Sequence, residues 1–78
     1  MSDMQDEGEE AAREGRARSN ATRIAILGLL GQDERGLSAP QVRSVLPGGL
    51  TLRSVRYHLR VLEASDLIAE EDGRYSLT

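Results

Sequence analysis

Apolar positions along the chain fall into three helical stripes followed by one short alternating stretch. Ser19 or Asn20, either able to cap free backbone N–H groups, opens a first helix predicted to reach about Leu30, with Gly31 ending it. At about 100° per residue, Ile24, Ile26, Leu27 and Leu30 lie along one broad side, the expected core face. Ala21, Ala25, Gly28 and Leu29 lie opposite and are small enough for another helix to approach, which makes them the candidate contact of a homodimer. Leu37 follows a turn over 31–36 and is expected to form a one-bridge strand. Ser38-Ala39-Pro40-Gln41 then has the spacing of a capping box, with Pro40 in the first turn where a missing N–H costs nothing. The second helix should run to about Leu46, bury Ala39, Val42, Val45 and Leu46, and stop at Pro47-Gly48-Gly49.

The third helix carries the strongest segregation. Capped by Thr51 and running to about Ala64, it gathers Leu52, Val55, Leu59 and Leu62 into one stripe, with Arg53, Arg56, Tyr57 and Arg60 on the other side. Two helices joined by a few residues rich in Pro and Gly read as a helix-turn-helix, whose second helix presents its outer side chains to a major groove. Beyond it, Leu67, Ile68, Tyr75 and Leu77 flank Asp72-Gly73, a dipeptide suited to a tight hairpin turn. A lone hairpin is marginal in water, so it must pack on the helices through Leu67, Tyr75 and Leu77, or through Ile68. The predicted fold is mainly α with a small β-hairpin: a winged helix-turn-helix with a three-helix core and a two-stranded wing over residues 19–78.

Residues 1–18 do not fit that pattern. They hold Asp3, Asp6, Glu7, Glu9, Glu10 and Glu14 and almost no large apolar side chain, so they are expected to form a disordered acidic tail. About sixty foldable residues and no cysteine place the rest near the lower size limit for a self-supporting core, so packing or a partner chain must supply the stability. No apolar run is long enough to span a membrane and the first residues are acidic rather than basic, so a cytoplasmic protein is expected.

Net charge is −3, which by itself argues against a polyanionic partner, but the charge comes in blocks. Residues 35–62 carry Arg35, Arg43, Arg53, Arg56 and Arg60 without one Asp or Glu, a local positive face of the kind that attracts nucleic acid. All ten basic residues are arginine, whose planar guanidinium suits bidentate contact with phosphate or guanine.

With those elements in place, the sequence resembles the ArsR-like winged helix-turn-helix transcriptional regulators of bacteria and archaea. Residues 22–30, TRIAILGLL, look like the family's opening core helix; residues 54–68, SVRYHLRVLEASDLI, are similar to its recognition helix and exit; and DGRYSL at 72–77 matches its wing. The resemblance covers about 22–78 and implies a DNA-binding regulator. Metal-sensing members use cysteines or His/carboxylate clusters; with no cysteine and only His58, metal sensing of that kind is not expected here. His58 is expected to be a structural, hydrogen-bonded imidazole. Asp66 stands where the family prefers Gly, a position that often needs positive φ. Glu70, Glu71 and Asp72 would repel phosphate, which leaves Arg74 as the wing's one plausible contact.

On double-stranded DNA the work would divide in two. Arg53, Ser54, Arg56 and Tyr57 are the candidate base contacts, with Arg56 first for guanine, while Arg43, Arg60 and Arg74 are the candidate phosphate contacts. The alternative is a protein-binding winged helix whose acidic wing and tail dock a basic partner. An enzyme is disfavoured: the chain has no nucleophile–base constellation, no paired carboxylates in a plausible pocket and no glycine-rich phosphate loop, and no cofactor is implied.

Overall fold

The computed structural model describes residues 19–78, so the expected tail at 1–18 lies outside the described residues. Helix α1 covers residues 19–32, α2 is Ala39–Val45, α3 is Leu52–Ala64, and strands β1, Ile68–Glu71, and β2, Arg74–Leu77, form the wing. Ser19 and Asn20 are already helical, so neither is the cap expected of them; Asn20 Oδ1 instead accepts from the Arg23 guanidinium at 3.3 Å. Gly31 likewise lies inside α1 rather than ending it.

Local chemistry sets the other helix ends. The Ser38 hydroxyl accepts from the Gln41 N–H at 3.3 Å, while the Gln41 side chain accepts from the Ser38 N–H at 2.9 Å, closing the capping box. Thr51 Oγ1 accepts from the Ser54 N–H at 3.1 Å and starts α3. At the far end of α3, Asp66 adopts φ 60°, the Asp66 N–H donates to Glu63 O and the Leu67 N–H donates to Leu62 O. Those two bonds make a complete Schellman motif, with Asp in the left-handed position that glycine usually fills. The chain leaves α3 there with both of these helix carbonyls paired.

One apolar cluster holds the elements together: Ile26 and Leu30 from α1, Ala39, Val42 and Leu46 from α2 and its cap, Val55, Leu59 and Leu62 from α3, and Ile68 from β1. Of the residues expected on the helices' core faces, Leu27 and Leu52 are half-buried against it, and two are exposed instead. Ile24 is 69% exposed because it lies about 160° round the helix from Ile26, too far for the same neighbours to cover both. Val45 is 58% exposed because a seven-residue helix buries one narrow stripe, and Ala39, Val42 and Leu46 occupy it. Leu29, expected on the outer face, is half-buried against the cluster, whereas Ala21, Ala25 and Gly28 do face outward.

The wing is antiparallel, with Ile68 opposite Leu77 and Glu71 opposite Arg74. Asp72 and Gly73 take φ 53° and 79°, the two positive values that a two-residue hairpin turn of the favoured twist requires. Ile68 anchors it in the core, with Tyr75 packed beside it, while Leu67 and Leu77 stay about half exposed. Leu37 adds the expected single bridge: its N–H donates to Tyr75 O at 2.9 Å and its carbonyl accepts from the Tyr75 N–H at 2.8 Å. The wing is thereby tied to the segment between α1 and α2 as well as to α3.

Candidate nucleic-acid interface

Helix α3 is held by its back. Val55, Leu59 and Leu62 are buried, and taking Leu62 as the origin, Arg56, Arg60, Arg53 and Tyr57 fall in an arc of about 100° centred on the opposite side. All four are exposed, and over Arg53 to Arg60 the ridge is roughly 10 Å long, comparable with the width of a major groove. Arg53, Arg56 and Arg60 have no ion-pair partner among the described residues. The structure brings these four together as expected.

The other candidates lie around them. Ser54 is half-buried on the flank of the ridge, in the first turn beneath the Thr51 cap. Arg43 is exposed on α2, but its Nε donates to Leu50 O at 3.0 Å, so the guanidinium also braces the turn between α2 and α3. Arg74 is exposed on the wing, separate from the ridge and directly across the strand pair from Glu71. Glu70, Glu71 and Asp72 are all exposed at the wing tip, where the Glu70 carboxylate accepts from the Gly73 N–H at 2.9 Å.

Beneath the ridge is His58, only 6% exposed. The expected hydrogen bond is not made among the described residues, and Nδ1 is buried without a partner. Burial lowers the imidazole's pKa below its ordinary value, and the nearby Arg23 guanidinium lowers it further. Its ring stands edge-on to that of Tyr57, with centroids 5.4 Å apart and planes at 68°. Sequence reasoning did not single out Arg23, since only packing of α1 on α3 brings it beside His58. Arg23, Ile24 and Leu27 also line a groove of about 460 Å³ against Val61 and Leu67.

Among the described residues, no helix is long and apolar enough to cross a membrane. A family model described as a helix-turn-helix domain matches residues 19–71, which span α1, α2, α3 and the first strand of the wing. No curated protein and no solved structure matches the chain.

Proposed function

Because the chain belongs to the helix-turn-helix domain family, we propose that it is a sequence-specific regulator that binds double-stranded DNA with α3 in the major groove. One observation carries this reading: the exposed arc of Arg53, Arg56, Tyr57 and Arg60, without an ion-pair partner among the described residues and backed by a packed core. Arg53, Ser54, Arg56 and Tyr57 then meet base edges, and Arg43, Arg60 and Arg74 meet phosphates. The reading extends to an ArsR-like regulator acting in a prokaryotic cytoplasm, as the resemblance of residues 22–78 implies.

The acidic wing sets the footprint. Exposed Glu70, Glu71 and Asp72 are repelled by phosphate, so Arg74 is the hairpin tip's single contact and the rest concentrates on α3 and its flanks.

A mobility shift in graded salt tests the proposal. Three phosphate contacts give a slope of log affinity against log salt near −3, or roughly a 40-fold loss between 50 and 200 mM. Absence of any duplex binding in dilute buffer overturns it and leaves the protein-docking alternative, in which the exposed wing carboxylates meet a basic partner. Selection from random duplexes also reports stoichiometry: two half-sites about one helical turn apart indicate a symmetric pair of copies, for which Ala21, Ala25 and Gly28 are the exposed contact on α1 and Leu29 its half-buried edge.

A further inference from the structure

A tyrosine on a helix surface, more than half in solvent, ordinarily samples several side-chain rotamers and forfeits entropy when a partner selects one. Tyr57 is 57% exposed, yet one neighbour restricts it. The His58 ring, itself only 6% exposed, stands against it with centroids 5.4 Å apart in edge-on geometry. Fixed rings in this arrangement attract because the positive edge of one meets the negative face of the other.

We propose that His58 is a positioning residue for Tyr57, holding the phenol ring in one orientation so that it meets a base edge already ordered. This rests on the DNA-binding reading above and adds to it a division of labour: the base-reading side chain is at 57 and the group that makes it selective is its buried neighbour at 58. The ring matters here as a ring, which sets a clear requirement for substitution: a flat aromatic at 58 should serve, and an aliphatic side chain of similar bulk should not.

The experiment uses the full chain as wild type, Tyr57→Leu, His58→Phe, His58→Leu and the Tyr57→Leu/His58→Leu double variant. Each selects from a pool of duplexes with a randomised centre, and each is also titrated with one duplex of arbitrary sequence. Tyr57→Leu is expected to flatten base preference at one or two positions by roughly two- to tenfold, and His58→Leu to flatten the same positions, with affinity for the arbitrary duplex held within about twofold. His58→Phe should keep the preference, and the double variant should be no flatter than Tyr57→Leu alone. The proposal is overturned if His58→Leu preserves a preference that Tyr57→Leu loses, if it weakens all duplexes alike, or if Tyr57→Leu changes no preference.

Wild-type protein alone supplies a second arm, independent of whether His58→Leu folds. Side-chain couplings in solution should show one χ1 rotamer for Tyr57, with cross-relaxation between the two rings; averaging over rotamers overturns the positioning role. Failure of the wild type to bind any duplex, with Tyr57 still held in one rotamer, strikes the DNA-binding reading instead.

Discussion

Two glycines, one in a turn and one in a helix, should respond to the same substitution with opposite signs. Gly36 has φ 80°, and a Cβ there would stand 2.8 Å from the backbone oxygen of Tyr75. That oxygen cannot yield cheaply, since it accepts from the Leu37 N–H in a reciprocal pair of bonds that ties the wing to the helices. Gly36→Ala therefore meets a left-handed backbone cost of about 1–2 kcal/mol. It also weakens two hydrogen bonds that contribute about 0.5–1.5 kcal/mol each. The expected loss is about 2–5 kcal/mol, against a total stability of about 3–9 kcal/mol for a domain of some sixty residues. At about 4–8 °C per kcal/mol, Tm should fall by roughly 10 °C or more. Gly28, exposed in α1 with nothing within 4 Å of where a methyl group would stand, should instead gain about 0.5–1 kcal/mol on Gly28→Ala. Urea denaturation gives both signs, and amide exchange at Leu37 and Tyr75 localises the damage. A Gly36→Ala protein within about 0.5 kcal/mol of wild type, with those two amides still protected, would refute the packing argument.

Three further outcomes are expected. Arg56→Ala should cost about 1–3 kcal/mol on a selected duplex and relax preference at one base pair, whereas equal loss on selected and arbitrary duplexes would assign Arg56 to phosphate only. His58 is held neutral in the fold, with its pKa below the ordinary 6.5, so the unfolded chain takes up the proton first as pH falls. Stability should thus be full above about pH 6.5, decline below it until the folded-state pKa is reached, and lose that dependence in His58→Phe; denaturation midpoints across pH 5–8 decide the matter. Asp66→Gly, at φ 60° in the Schellman position, should raise stability by about 0.5–1 kcal/mol, and a lower Tm would show that the Asp side chain contributes more than its strained backbone costs.

Much of the fold was legible in the sequence wherever a few adjacent residues decide the outcome. Ser38 with Gln41, Thr51 ahead of α3, Leu37 after its turn, and Asp72-Gly73 each state their geometry locally, and each adopts it. The ridge was legible for a related reason: thirteen residues with apolar and basic positions on opposite sides can be buried only one way. What was not legible depends on which element covers which. Val45 is as apolar as its buried neighbours, and only the shortness of α2 leaves it outside, whereas the exposure of Ile24, about 160° round α1 from Ile26, follows from the helical wheel itself. Arg43 reaches Leu50 across a Pro-Gly-Gly turn, and the Arg23 charge acts on His58 from another helix, relations that no periodicity announces. Gly31 misled because a glycine signals a helix end only where the following residue does not continue the helix, and residue 32 does.

A chain of net charge −3 can still present a positive surface to DNA because the fold keeps its charges apart. The wing departs from the core at Ile68, and four residues of strand, at about 3.3 Å each, carry the turn roughly 13 Å outward. For Glu71 and Asp72, roughly 10 and 13 Å along the strand from Ile68, that exceeds the Debye length of about 8 Å at physiological ionic strength, so these two are largely screened from groups at the wing's base, whereas Glu70, roughly 7 Å along, is screened less. In dilute salt the Debye length grows to about 30 Å, and the same carboxylates then oppose approach of the duplex. On the proposed DNA-binding reading, lowering salt therefore strengthens the arginine contacts and the wing's repulsion together, so the wing would act as a brake on indiscriminate binding rather than as a second reading head. Any added affinity from neutralising the wing tip should consequently be larger on arbitrary duplexes in dilute buffer than on a selected site at physiological salt.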